Sequence, residues 1–253
     1  MLTLAALAIV LTGHSLAGFQ LGCVLCICWT TISLVAFVYG MDTLMDTQPT
    51  LKALASRSGI YLIALLSSGL GVALWRGPVT FVSAVSILLL GLLYSHPFPT
   101  KDGVFRLKSL TGIKSLWIGI GWGLLVFVGS GSFNNEYAQW AALFVALQVT
   151  AGSVLRDLDD LDEDRRTNTR TLPIVFGEKN TYIALHLVNL LSGLVLFIMP
   201  LPWALAWIGV IVWRSVNLEW LRLGEPGHYA TQYMNLATCG VIFVIRMVVY
   251  VVA

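Results

Sequence analysis

Arg156-Asp157-Leu158-Asp159-Asp160-Leu161-Asp162-Glu163-Asp164-Arg165-Arg166, followed by Thr169-Arg170-Thr171-Leu172-Pro173, places six of the chain's 13 acidic residues within eight positions. The stretch closes an apolar run, 137–156, in a chain that is 57% hydrophobic and only 11% charged. Soluble domains are about 45–50% apolar and about 25% charged, and the mean hydropathy here is +0.82. The sequence therefore predicts a multi-pass integral membrane protein whose helices deliver a dense acidic patch to one membrane face.

Working outward from that run, segments near the roughly 20 residues that cross a bilayer as a helix occur at 2–20, 22–46, 59–75, 79–95, 112–129, 137–156, 180–199, 201–220 and 232–252. An all-α fold of about nine membrane helices is expected, with no room for a separate soluble domain. Pro49, Pro78, Pro97, Pro99, Pro173, Pro200, Pro202 and Pro226 all lie between or at the ends of these runs, where helices break. The first run lacks the basic region of a cleavable signal and is expected to be a retained span, or the remnant of a longer one. Cys23, Cys26, Cys28 and Cys239 sit within apolar runs and read as packing residues. Gly119, Gly121 and Gly123 should allow close packing of the fifth span.

The net charge of +2 is small, but its distribution is not. Lys52, Arg57, Lys101, Arg106, Lys108, Lys114, Arg156, Arg165, Arg166, Arg170, Lys179, Arg214 and Arg222 are assigned to the loops after even-numbered spans. Arg76 is on the other side and Arg246 inside a span, where pairing or snorkelling is expected. The positive-inside rule makes the even loops cytoplasmic, with the amino terminus inside and the carboxyl terminus outside.

The acids sort by face. At about 100° per residue, Asp157, Asp160 and Asp164 fall within an arc of roughly 60° if the helix continues, whereas Asp159 and Asp162 point away. The first three form a candidate metal face; Asp159, Asp162 and Glu163 are expected to meet water or pair with Arg165 and Arg166. Thr171-Leu172-Pro173 reads as a new helical start, with the hydroxyl as cap and the proline in the first turn. A second acid pair, Asp42 and Asp46, ends the second span one helical turn apart. Like charges so placed repel, and carboxylates at a helix carboxyl end oppose its dipole, so a cation between them would relieve both. The loop between the two clusters holds Lys101, Arg106, Lys108 and Lys114 within fourteen positions.

Hard carboxylate oxygens suit Mg²⁺, which binds few carboxylates and keeps positions for water and phosphate. Two such clusters on one face could hold a diphosphate through bridging metals, with lysine and arginine neutralising the remainder. The apolar helices would then surround a long hydrocarbon attached to that diphosphate. His14, His96, His186 and His228 lack metal-ligand spacing, and no P-loop, Rossmann, zinc or G-x-S-x-G pattern occurs. Nothing supports nucleic acid binding.

These residues resemble the UbiA superfamily of intramembrane prenyltransferases. Asp157-x-x-Asp160-x-x-x-Asp164 with Arg170-Thr171-Leu172-Pro173 and Gly177 is similar to the family's second motif and its downstream T-L-P and Gly. Asp42-x-x-x-Asp46 resembles the end of the first, N-x-x-x-D-x-x-x-D, and Tyr94 with the basic run to Lys114 resembles a Y-x-x-x-K loop. Val38 stands where the family has Asn, and Phe98 where it has Lys, with Lys101 or Arg106 the nearest substitutes. The resemblance implies one UbiA-like domain over 1–253, a helical bundle around a central cavity, with active-site loops on the cytoplasmic side.

The implied activity is Mg²⁺-dependent transfer of a prenyl group from a prenyl diphosphate to an aromatic or other lipophilic acceptor, releasing pyrophosphate among the membrane lipids. Asp42 and Asp46 would bind one metal and Asp157, Asp160 and Asp164 the other, with Tyr94, Lys101, Arg106, Lys108 and Lys114 on the diphosphate. The alternatives are a terpene cyclase of the same fold and a noncatalytic membrane-assembly subunit. A cation transporter would place its acids near the midplane rather than at span ends, and the Asp-Gly-x-x-Ala-Arg signature of CDP-alcohol phosphotransferases is absent. No protein partner is legible in the sequence.

Overall fold

The computed structural model describes residues 2–16, 21–47, 50–100, 103–105, 107, 110–166, 170–199 and 201–223. Backbone amides that face lipid must be satisfied within their own segment, so apolar runs of this length become helices. The elements are α1 (Leu2–Leu16), α2 (Leu21–Thr47), the short α3 (Thr50–Ala55), α4 (Arg57–Arg76), α5 (Pro78–Ser95), α6 (Ile113–Ser130) and α7 (Glu136–Asp159). They continue as the short α8 (Leu161–Arg166) and α9 (Leu172–Phe176), then α10 (Glu178–Ser192), a 3₁₀ segment (Gly193–Phe197) and α11 (Leu201–Leu223). Eight of the nine expected spans coincide with helices, and the ninth, 232–252 with Arg246, lies outside the described residues.

By length and hydropathy, six of the described segments can cross a membrane: Cys23–Thr47, Arg57–Arg76, Pro78–Ser95, Ile113–Ser130, Glu136–Asp159 and Glu178–Phe197. The all-α membrane class is thus as expected, with six such spans among the described residues. One departure is a small hairpin after α5. Strands β1 (Phe98–Thr100) and β2 (Gly103–Phe105) pair antiparallel, Phe98 opposite Phe105, their rings 6.5 Å apart. The sequence reading assigned this segment to a plain basic loop.

Local chemistry sets the helix ends. Gly77 bridges α4 and α5 at φ 127°, which side chains disfavour, and Pro78 then starts α5 where no amide partner is needed. The Asn135 side chain caps α7, accepting from the Ala138 amide at 3.0 Å, with Glu136 on the positive end of the dipole. Ser56 caps α4 in the same way, accepting from Gly59 at 3.0 Å.

Within a membrane, close van der Waals packing and interhelical hydrogen bonds hold helices together. A Cβ on Gly123 would lie 2.7 Å from the Ala142 carbonyl oxygen, and one on Gly119 would collide with Thr150, so α6 and α7 meet through those two glycines. Gly121 faces open space, contrary to the expectation that all three serve packing. Phe144 of α7 stacks on Trp207 of α11, centroids 4.5 Å apart and planes 6° from parallel.

Arg214 corrects the charge reading. It lies inside α11 and is only 5% exposed, rather than on an inner loop. There its guanidinium donates to Gln148 Oε1 at 3.4 Å. Gln148 donates in turn to Asn189 Oδ1 (2.7 Å) and Ser192 Oγ (2.8 Å), and Asn189 to Ser215 Oγ (2.9 Å). This cluster ties α7, α10 and α11 together in their apolar middle.

Candidate active site

Four helix ends build the site. α2 ends with Asp42 and Asp46, α5 with Tyr94 and Ser95, α6 begins with Lys114 in its first turn, and α7 ends with Asp157 next to the Asp160 cap. The buried Ser95 hydroxyl donates to Asp42 Oδ1 at 2.7 Å, fixing the first cluster to α5. Lys114 Nζ donates to Asp157 Oδ1 at 2.9 Å, and the Asp157 side chain is 6% exposed against 35% for Lys114. Burying a carboxylate this deeply requires a compensating cation, and Lys114 supplies it.

The second cluster keeps the face that its spacing predicts, although the helix does not run straight through. α7 stops at Asp159, yet the Asp160 amide still donates to Arg156 (3.0 Å) and the Asp164 amide to Asp160 (2.9 Å) across the break into α8. Asp157 is buried, and the charges of Asp164 and Asp160 reach it. Asp164 has its Oδ2 buried, and Asp160 pairs with Arg156 at 3.6 Å. On the other side, Asp162 is 92% exposed and meets Arg165 at 3.5 Å, while Glu163 meets Arg166 at 2.6 Å. Arg165 also reaches Glu178 of α10 at 3.6 Å. Asp159 turns toward α10, where its charge reaches Tyr182.

The two clusters converge on Tyr94. Its hydroxyl lies within the fields of Asp42, Asp157 and Asp46, one acid from the second cluster and both from the first. The structure therefore brings Asp42, Asp46, Tyr94, Lys114, Asp157, Asp160 and Asp164 to one end of the bundle. Lys101, Arg106 and Lys108 lie outside the described residues. Among the described residues, no three acidic, histidine or cysteine side chains close on one point at metal-binding distance. The donor set still fits Mg²⁺ in chemistry: all oxygen, mostly carboxylate, with a cation already among them in the Lys114 ammonium.

Sequence reasoning missed two neighbours, Tyr39 and Ser95. Tyr39 precedes Asp42 by three residues, hence shares its face one turn deeper; its hydroxyl accepts from Trp122 Nε1 at 3.3 Å and lies within reach of the Asp42 and Arg156 charges. The i, i+3 spacing could have flagged it. Ser95 carried no signal, since its role depends on α5 ending beside α2. Val38, which replaces the expected Asn, packs on α5, where a Cβ on Gly91 would come within 2.7 Å of its Cγ1.

Below this charged end the helices are apolar, so the arrangement can hold a molecule with an anionic head and a hydrocarbon tail. Comparisons with known proteins identify the family and the fold. The model of the UbiA prenyltransferase family matches residues 1–238. Two proteins named digeranylgeranylglyceryl phosphate synthase are similar in sequence. The one from Natronomonas pharaonis is 28% identical over 125 residues, covering 44% of this chain and 45% of its own length. That from Pyrococcus furiosus is 25% identical over 213 residues, covering 80% and 73%. A UbiA homolog from Aeropyrum pernix K1 superposes with a TM-score of 0.74 at 17% identity, covering 97% of each chain. One from Archaeoglobus fulgidus, solved with GPP and Mg²⁺, gives 0.68 at 13% identity over 96% of this chain and 95% of its own.

Proposed function

The chain belongs to the UbiA prenyltransferase family, and on that footing we propose that it transfers a prenyl group from a prenyl diphosphate to an aromatic or other lipophilic acceptor in the membrane. The observation that carries this reading is the gathering of both acid clusters at one end of the bundle, Asp42 held by Ser95 beside Tyr94 and Asp157 held by Lys114, above apolar helices. The GPP and Mg²⁺ in the Archaeoglobus fulgidus homolog support it.

In this reading Asp42 and Asp46 hold one Mg²⁺ and Asp157, Asp160 and Asp164 another. Bound there, the metal would neutralise the diphosphate and favour its departure. Ser95 holds Asp42 in place and Arg156 does the same for Asp160. Tyr94 and Lys114, with Lys101, Arg106 and Lys108, bind and orient phosphate oxygens. The bond between C1 and oxygen breaks with its electron pair leaving on pyrophosphate. Tyr39, one turn from Asp42, and Trp122, bonded to it, offer aromatic faces that would stabilise an allylic cation. The acceptor attacks C1, and the proton it loses ends on the released pyrophosphate. We take residues 1–253 as one domain, and the positive-inside rule favours the cytoplasmic side for this site.

The test is the purified chain in lipid with Mg²⁺, prenyl diphosphates of several lengths and a lipid extract, read by pyrophosphate release and product mass. The double substitution D160N/D164N should abolish release; retained release sinks the metal assignment. A product formed without acceptor identifies a cyclase, and a wild type that releases nothing identifies an assembly subunit.

A further inference from the structure

The Asp157 carboxylate is the most buried acid of the site, and the partner it has is a lysine. A metal that takes Asp157 Oδ1 must therefore displace an ammonium held there at 2.9 Å. The Lys114 side chain is 35% exposed, on the first turn of α6, so it can swing away without unpacking the helix. Once displaced, it is an unneutralised cation beside bound divalent charge, a position that only an anion stabilises. A diphosphate supplies that anion, and lysine is suited to the exchange because its charge is compact on a flexible stem.

We propose that Lys114 couples metal binding to diphosphate binding by changing partners: it holds Asp157 before substrate arrives and moves to phosphate oxygens when metal takes Asp157. This rests on reading the site as a metal–diphosphate site. The consequence is cooperative loading: metal alone competes with Lys114, whereas metal and diphosphate together give every charge a partner. Because Lys114 competes with metal for Asp157 and serves phosphate once displaced, removing it should tighten the binding of metal alone and weaken that of diphosphate. A lysine that merely positioned Asp157 would weaken both when removed.

The measurement is Mn²⁺ binding by electron paramagnetic resonance, with no diphosphate present, and binding of an unreactive prenyl thiolodiphosphate at saturating Mn²⁺. In K114Q, Mn²⁺ alone should bind about fivefold or more tighter and the thiolodiphosphate about fivefold or more weaker, the lower range of coupling between linked sites. K114R, which keeps the charge, should stay close to wild type. Equal or weaker Mn²⁺ binding in K114Q overturns the exchange while leaving the site intact. A wild type that binds neither probe overturns the functional reading beneath it. Should K114Q fail to fold, amine acylation of wild-type Lys114, quantified by mass spectrometry, replaces it. Labelling should rise on adding Mn²⁺ and fall when inorganic pyrophosphate follows; no rise with Mn²⁺ overturns the proposal.

Discussion

Two regions bring polar groups into this apolar bundle, and they solve the burial problem differently. At the charged end, Asp157 is paired with Lys114 and lies within reach of the charges of Asp160 and Asp164. In the middle, Arg214 lies among amides and hydroxyls, with Gln148 the acceptor beside it. Gln148 and Asp157 share α7, nine residues apart, which puts them on roughly opposite faces and about 13 Å apart along the axis. One face of α7 thus turns toward α6 and the ligand end, the other toward α10 and α11. The first collects like charges that repel unless a cation joins them; the second is a network of donors and acceptors that closes between helices. An excess of acidic groups marks the candidate site, and one arginine met by neutral amides and hydroxyls marks the joint.

The strongest way to sharpen that contrast is at a residue that supports the charged region without being charged. S95A removes the 2.7 Å bond that fixes Asp42 and leaves the helix end otherwise unchanged. Groups that orient ligating carboxylates typically contribute about 10–100-fold to metal affinity or activity, so kcat/KM should fall about tenfold or more. The loss should shrink as Mg²⁺ is raised, because the defect lies in holding the metal. A fall that no Mg²⁺ concentration reduces would mean that Ser95 acts on packing alone.

Much of the fold was legible because length and apolarity decide it: eight runs appear as helices within a few residues of their expected bounds. The face of Asp157, Asp160 and Asp164 was legible too, since helical hydrogen bonds persist across the break at Asp160. What failed were features that depend on a distant neighbour. Arg214 looked like a loop charge because no local pattern announces a partner 66 positions away at Gln148. Gly121 looked like Gly119 and Gly123, but only the partner helix decides which glycine is covered. The hairpin escaped because Phe98-Pro99-Thr100 and Gly103-Val104-Phe105 are too short for a period to show.

The mid-membrane cluster is tested by Q148L, which takes one side-chain acceptor from Arg214 and the donors from Asn189 and Ser192. Stranding buried polar groups costs about 1–3 kcal/mol, so Tm in lipid should drop while pyrophosphate release per folded molecule holds. Lost catalysis at unchanged Tm would move this cluster into the site and break the division between the two faces of α7.

The smallest effect is expected within the acidic stretch itself. Asp162 and Glu163 lie in the same run as Asp160 and Asp164, and composition alone cannot tell them apart. Their surroundings can: both are exposed, and each pairs three residues on, with Arg165 and Arg166. Such pairs are screened by water and salt, so D162N/E163Q should leave kcat, KM and the Mg²⁺ dependence within about twofold of wild type. D160N/D164N removes as many charges from the same turns, so the pair of double variants holds net charge equal and varies only the face. If both silenced the protein alike, the site would be responding to total negative charge near the membrane surface, and the sorting of acids by face would fall. If only D160N/D164N does so, what matters is where the helix points its carboxylates.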